Sequence, residues 1–240
     1  SHYYSRLTQR LITALSAPTS EGTLYEVDMR LRPSGQKGPV ATKLASFIDY
    51  QSNEAWTWEH MAMTRARVIA GEDDLACRVE AAIRDALQKP RERAKIAADV
   101  RDMRERIAAE KGTDEIWDLK QVRGGLVDLE FITQYLQLVN AADHPEALDQ
   151  NTLMALQKLE AVGALSGSDA ADLIECGRLL HALTQTIRLS LDHPFDPGSA
   201  PAGLKALLAR SAEKPDFDAV EVELKAAVGK VKSAFDRLVV

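Results

Sequence analysis

The sequence predicts a mainly α-helical chain, a helical bundle with a small α/β element at its amino end. Two observations carry that reading. After residue 44, apolar side chains recur at helical spacing in runs closed by glycine or proline. Only residues 23–32 alternate with a period of two, and they include the strand-favouring Thr23, Tyr25 and Val27.

Each element follows from local chemistry. "YSRLTQRLITAL" puts apolar groups at 4, 7, 11, 12 and 15, one stripe of a short helix that Pro18 and Gly22 bring to an end. Residues 23–32 read as a strand buried on one face, "RPSGQKGP" as a turn cluster, and "VATK" as a short returning strand. "KLASFIDYQSNEAWTWEHMAMTRARVIAG" reads as helix up to Gly71, and "DDLACRVEAAIRDALQ" as helix up to Pro90. "ERAKIAADVRDMRERIAAEKG" is rich in strong helix formers and stops at Gly112. "GGLVDLEFITQYLQLVNAA" is apolar on nearly all sides, as expected of a central helix. Asn151 is an N-cap for the next helix and Gly163 its stop. A long helix follows through Leu173, Leu180, Ile187 and Leu191, then a loop at 193–203. The last helix carries Leu224, Val228, Val231, Phe235 and Leu238 along one seam.

Composition narrows the function classes. A net charge of −6, without a face that gathers Lys and Arg, argues against a nucleic-acid backbone as partner. No apolar run approaches the roughly 18 residues that span a bilayer, so no membrane is expected. Cys77 and Cys176 have no metal-ligand spacing and read as small core residues in a reducing, cytoplasmic compartment. The start "SHYYSRLTQRLI" has no Met and begins inside an amphipathic pattern, as expected of a piece of a longer protein.

The chemistry-bearing stretch is "YEVDMRLRPSG". Alternation places Glu26, Asp28, Arg30 and Arg32 on one side of the expected strand. A carboxylate so placed can help hold Mg²⁺, and arginines can hold phosphate oxygens or orient the carboxylate. Ser34 and Gly35 bring main-chain N–H groups to the strand's end. A strand with one solvated polar face explains the same pattern. Arg123, Gly124 and Gly125 stand where a helix begins, and a helix N-terminus favours an anion such as a phosphate of ATP. Close backbone packing by two glycines is the structural alternative.

Other groups read more plainly. Asp128 and Glu130 lie about 200° apart around a helix and are not a paired acid and base. Trp56 and Trp58 read as core or interface, and His60 as a satisfied helix histidine. Glu59, Arg65 and Arg67 line a cleft or form a solvated face. Cys176 and His181, five apart on one helix, are not a nucleophile and base. Arg91, Arg93, Arg101, Arg104 and Arg106 alternate with acids as a solvated face.

"YEVDMRLRPSGQKGP", "FIDYQSNEAWTWEHMAMTRARVIAGE" and "DLKQVRGGLVDLEFITQYLQL", in that order and spacing, closely resemble the glutamine-synthetase adenylyltransferase family. The resemblance runs from about residue 3 to the C-terminus. It implies a bifunctional enzyme whose two homologous halves add AMP from Mg·ATP to a tyrosine of glutamine synthetase and remove it by phosphorolysis. It further implies control by the PII signalling protein and by glutamine. Residues 1–45 then correspond to the remnant of a nucleotidyltransferase domain and 46–240 to a helical bundle domain. "EAWTWEH" and "GGLVDLEF" look like the C-terminal, adenylylating half; the adenylyl-removing half is the alternative. Asp28 matches the family's third metal-site aspartate, with Arg30 and Arg32 beside it. No Gly-Ser and Asp-x-Asp arrangement precedes it here, so this segment alone is not expected to catalyse adenylyl transfer. A non-catalytic regulatory module that binds glutamine synthetase or PII is the competing expectation.

Overall fold

A computed structural model describes residues 2–23 and 27–240. The chain is mainly α, with ten α-helices and one two-stranded hairpin among the described residues. Cα packing separates it into two units, Ser1–Leu87 and Gln88–Val240. That division does not coincide with the boundary expected near residue 45.

In the first unit, α1 (His2–Ser16) forms over the expected apolar stripe, yet none of its residues is buried. After it, Pro18–Thr19 (β1) pairs antiparallel with Gly22–Thr23 (β2), turning through Gly22 at φ 100°. The expected strand over 23–32 is present at Thr23 and absent over 27–32, while residues 24–26 lie outside the described residues. Residues 27–30 belong to no regular element, 35–37 make a single 3₁₀ turn, and "VATK" makes no strand. Glu26 lies outside the described residues. Two causes account for the difference. A strand needs a paired neighbour to satisfy its main chain. Here the Asp28 carboxylate instead accepts the Arg30 main-chain N–H at 2.9 Å, a local bond that competes with extended pairing.

The single helix expected from 43 to 71 is two. Helix α2 (Leu44–Asn53) ends where the N–H groups of Glu54 and Ala55 both bond to the Tyr50 carbonyl, each at 2.9 Å. Trp56 is extended at φ −85°, and α3 (Thr57–Met63) restarts with the Glu59 carboxylate accepting the Trp56 N–H at 2.9 Å. Residues 64–72 then run without a helix or strand up to α4 (Asp73–Leu87). Helix α4 packs on α2 and α3, and Met61, Met63, Ala82, Ile83, Ala86 and Leu87 form the small core of this unit.

The second unit contains α5 (Arg93–Lys111), α6 (Leu126–Asn140), α7 (Thr152–Ala161), α8 (Gly167–Ser190), α9 (Ala202–Ser211) and α10 (Phe217–Leu238). Helix α6 is central, as its all-round apolar sequence predicts, and packs against α5, α7, α8 and α10. Leu129, Ile132 and Tyr135 on it are wholly buried. Asn151 caps α7 by accepting the N–H groups of Leu153 and Met154, and Gly163 follows that helix at φ 75°. Ser166 and Asp216 cap α8 and α10 in the same way. Helix α9 occupies a stretch to which the patterning assigned no element.

Candidate functional site

The sequence-predicted groups fall into two sets, one in each unit. In the first unit, Asp28 and Arg30 pair on the surface. Arg30 Nε donates to both Asp28 oxygens at 3.0 Å and Nη2 donates to Oδ2 at 2.6 Å. The Arg30 guanidinium and main-chain N–H hold the Asp28 carboxyl down at about 2, from an ordinary 3.8. The carboxylate is therefore ionised at neutral pH. Val27, Asp28, Met29, Arg30, Arg32 and Gln36 line an open recess of about 370 Å³.

Arg32 has a different role from the phosphate holder expected of it. Its guanidinium donates to the carbonyls of Met29, Gln36 (3.2 Å) and Gly38 (3.1 Å), so it staples the loop on itself. Ser34 and Gly35 turn the chain through the left-handed region at φ 61° and 54°. The Gly35 N–H, expected to face an anion, bonds to the Arg32 carbonyl at 2.8 Å. The Tyr50 phenol donates to Glu59 at 2.9 and 3.1 Å, and its pKa is pushed above 10.0, first by burial.

At the break between α2 and α3, Trp56 and Trp58 are 68% and 38% exposed, which removes the core half of the core-or-interface expectation. Glu59 is not simply solvated, because it joins Tyr50 to the Trp56 main chain. Arg65 and Arg67 lie on the surface. His60 is satisfied as expected, its Nε2 lying 3.1 Å from the Gln51 carbonyl.

In the second unit, Arg123, Gly124 and Gly125 build the entrance to α6. The N–H groups there are spent within the chain. Gly124 donates to Asp128 Oδ2, Gly125 to Val122 O at 2.9 Å, and Leu126 to Leu119 O at 2.9 Å. The anion at this helix end is thus Asp128 itself, fully buried, rather than an external phosphate. Arg104 donates to Asp128 through Nε and to the Gln121 carbonyl at 2.9 Å, and Arg123 donates to Asp128 at 3.1 Å. Arg123 also lies over the Phe235 ring at 4.8 Å and reaches Asp236 at 3.5 Å. The glycines are required by space. A Cβ on Gly124, at φ 87°, would stand 2.0 Å from the Val228 carbonyl oxygen, and one on Gly125 2.5 Å from that of Leu119.

Arg104 is the residue that charge patterning misplaced. It is 1% exposed, not solvated. A signal exists: Ile96, Val100 and Arg104 step by four along one face of α5, and all three are buried. Cys176 is buried as expected, its thiol pushed up to about 11 by burial, whereas Cys77 is exposed.

The fit to magnesium is partial. Mg²⁺ is commonly held by one or two carboxylates together with substrate phosphates and water. Among the described residues no group of three or more His, Cys, Asp or Glu is placed to hold a metal ion. Asp28 offers one oxygen donor group, exposed and ionised.

Comparison with known proteins gives two family matches: residues 1–82 match the family described as glutamate-ammonia ligase adenylyltransferase. Residues 94–235, more than half of the chain, match GlnD PII-uridylyltransferase, and the chain belongs to that family. Bifunctional glutamine synthetase adenylyltransferase/adenylyl-removing enzymes are similar to it from end to end. That of Bradyrhizobium sp. strain BTAi1 is 49% identical over 238 residues, 99% of this chain and 24% of the relative. Those of Rhodopseudomonas palustris strain BisB5 and Xanthobacter autotrophicus are each 48% identical, over 239 and 238 residues. The chain spans about a quarter of the length of these relatives, 24% in each case. No helix among the described residues is long and apolar enough to cross a membrane.

Proposed function

We propose that this segment is part of the adenylylating half of a bifunctional glutamine synthetase adenylyltransferase, which transfers AMP from Mg·ATP to a tyrosine of glutamine synthetase. The observation that carries the reading is Asp28: an exposed carboxylate, held ionised by Arg30 at the edge of an open recess, in a chain similar to those enzymes over its whole length. Asp28 would offer one oxygen to the magnesium that accompanies ATP, with the remaining carboxylates supplied from outside this chain. When bound, that ion supplies neutralisation of charge on the phosphate oxygens. Arg30 orients Asp28 and presents a cation to an incoming phosphate. Arg32 shapes the loop that carries both. The "EAWTWEH" and "GGLVDLEF" stretches support the adenylylating half. The second unit, whose α6 entrance is closed by Asp128, is read as the part that positions glutamine synthetase or relays signals from PII and glutamine.

Because the chain itself brings one metal-site carboxylate, it is expected to show no adenylyl transfer alone. The test is Asp28→Asn in a full-length enzyme carrying this segment, assayed for AMP addition to glutamine synthetase and for AMP removal. Addition should fall by at least about a hundredfold with an unchanged melting curve. Loss of removal with addition spared would assign the segment to the other half. Normal turnover in both directions would leave a regulatory module without chemistry.

A further inference from the structure

One side chain closes residues 29–38 on themselves. Arg32 is half-buried, and each nitrogen of its guanidinium donates to a different main-chain carbonyl: Nη1 to Met29, Nη2 to Gln36 at 3.2 Å and Nε to Gly38 at 3.1 Å. Its planar fork is spent on the loop. Main-chain bonds complete the ring, from the Gly35 N–H to the Arg32 carbonyl at 2.8 Å and from the Gly38 N–H to the Gly35 carbonyl at 3.2 Å. Gly38 is held to its identity by space, since a Cβ there would stand 2.0 Å from the Pro33 carbonyl oxygen. The bond to Met29 matters most for the candidate site. That carbonyl belongs to the rigid, planar peptide group between Met29 and Arg30. The N–H of the same plane is that of Arg30, which donates to Asp28 Oδ1 at 2.9 Å. Whatever fixes the carbonyl therefore fixes the direction from which the N–H meets the carboxylate.

We infer that Arg32 is a positioning residue: acting through the Met29–Arg30 peptide plane it aims the Asp28 carboxylate, and Gly38 is the far anchor of the ring. The geometry stands by itself, while its consequence rests on the catalytic reading of Asp28. In a sheet, ladder bonds from a neighbouring strand would fix that plane. Residues 27–30 belong to no strand, and the Arg32 guanidinium takes the neighbour's place. Misplacement of a catalytic group by about 1 Å can cost a hundredfold in rate. Arg32 touches no reacting atom in this role, unlike a ligand of phosphate.

Two readouts test it. In this chain, Arg32→Ala removes the staple, and Gly38→Ala opens the ring with the Arg32 cation intact. In both, the Asp28 carboxyl, followed by NMR, should titrate above its present value of about 2, towards 3.8, as the Arg30 N–H swings away. In a full-length enzyme carrying the segment, both changes should lower kcat for AMP addition about tenfold with little change in KM for ATP. Arg32→Lys, which keeps the charge but not the fork, should recover little of that loss. An Asp28 titration unmoved by Arg32→Ala overturns the inference. So does a KM for ATP raised about tenfold in Arg32→Ala and restored by Arg32→Lys, the signature of a phosphate ligand. A shifted titration with unchanged kcat, in an enzyme that Asp28→Asn inactivates, overturns the positioning role and leaves the catalytic reading standing. An active Asp28→Asn enzyme sinks the catalytic reading instead, and the titration still decides whether Arg32 aims the carboxylate.

Discussion

The two units treat the same kinds of side chain in opposite ways. In Ser1–Leu87 the large apolar groups Tyr3, Tyr4, Leu7, Leu11 and Leu15 of α1 face water, as do Leu31, Ile48, Trp56 and Ile69. The candidate-site charges Asp28 and Arg30 lie there too, on the surface. In Gln88–Val240 most apolar residues of α6, α7, α8 and α10 are buried, Met154, Leu189 and Val222 being exposed, and so is a charge pair, Arg104 with Asp128. The contrast teaches that a salt bridge must be read with its setting. The exposed pair is exchangeable with solvent and ligand and contributes little to stability. The buried one is committed: its arginine also bonds to a carbonyl and its carboxylate also takes a main-chain N–H, so it can be lost only together with the entrance to α6.

The sharpest way to break the contrast is Asp128→Ala. It strands the Arg104 cation in the core and frees the Gly124 N–H, so the second unit should lose about 3–5 kcal/mol in urea unfolding. Asp28→Ala, the matching change in the first unit, should leave the unfolding midpoint within error. A paired comparison of apolar residues should give a somewhat smaller difference. Leu180→Ala, at a fully buried position, should cost about 2–5 kcal/mol, while Leu11→Ala, 56% exposed, should stay within about 0.5 kcal/mol.

The smallest effects are in titration. The Cys176 thiol is pushed up from 9.0 to about 11, so the neutral thiol favours the folded state below pH 9, and that contribution is lost as pH rises through 11. At pH 8, alkylation should label exposed Cys77 and leave Cys176 at least about a hundredfold slower, as peptide mapping would show. For Asp28 the sign is the reverse. Its carboxyl is lowered from 3.8 to about 2, so its pairing with Arg30 is complete above pH 3.8 and disappears as pH falls through 2.

Much of this architecture was legible in the sequence. Helices α4 to α8 and α10, the Asn151 cap, the Gly163 stop and the central place of α6 follow from periodicity and capping, because a helix satisfies its main chain within its own residues. The resemblance to the adenylyltransferase family, legible in three motif blocks, agrees with relatives similar over the whole chain. The site was less legible. Asp28 and Arg30 were found as neighbours, but Arg32 reads as a phosphate ligand until its guanidinium is seen on three carbonyls. The α2–α3 break contains neither glycine nor proline, so nothing in the pattern interrupts that helix.

What the sequence determined by itself is therefore the set of local elements: where helices run, where they are capped, and which charges lie near one another along the chain. Tertiary structure alone decided the rest. It left residues 27–32 without a strand, since a strand's hydrogen bonds belong half to a neighbour that composition does not name. It buried Arg104 and turned Asp128 into the anion at the start of its own helix, because the burial of a charge depends on whether a partner of opposite sign meets it in the fold.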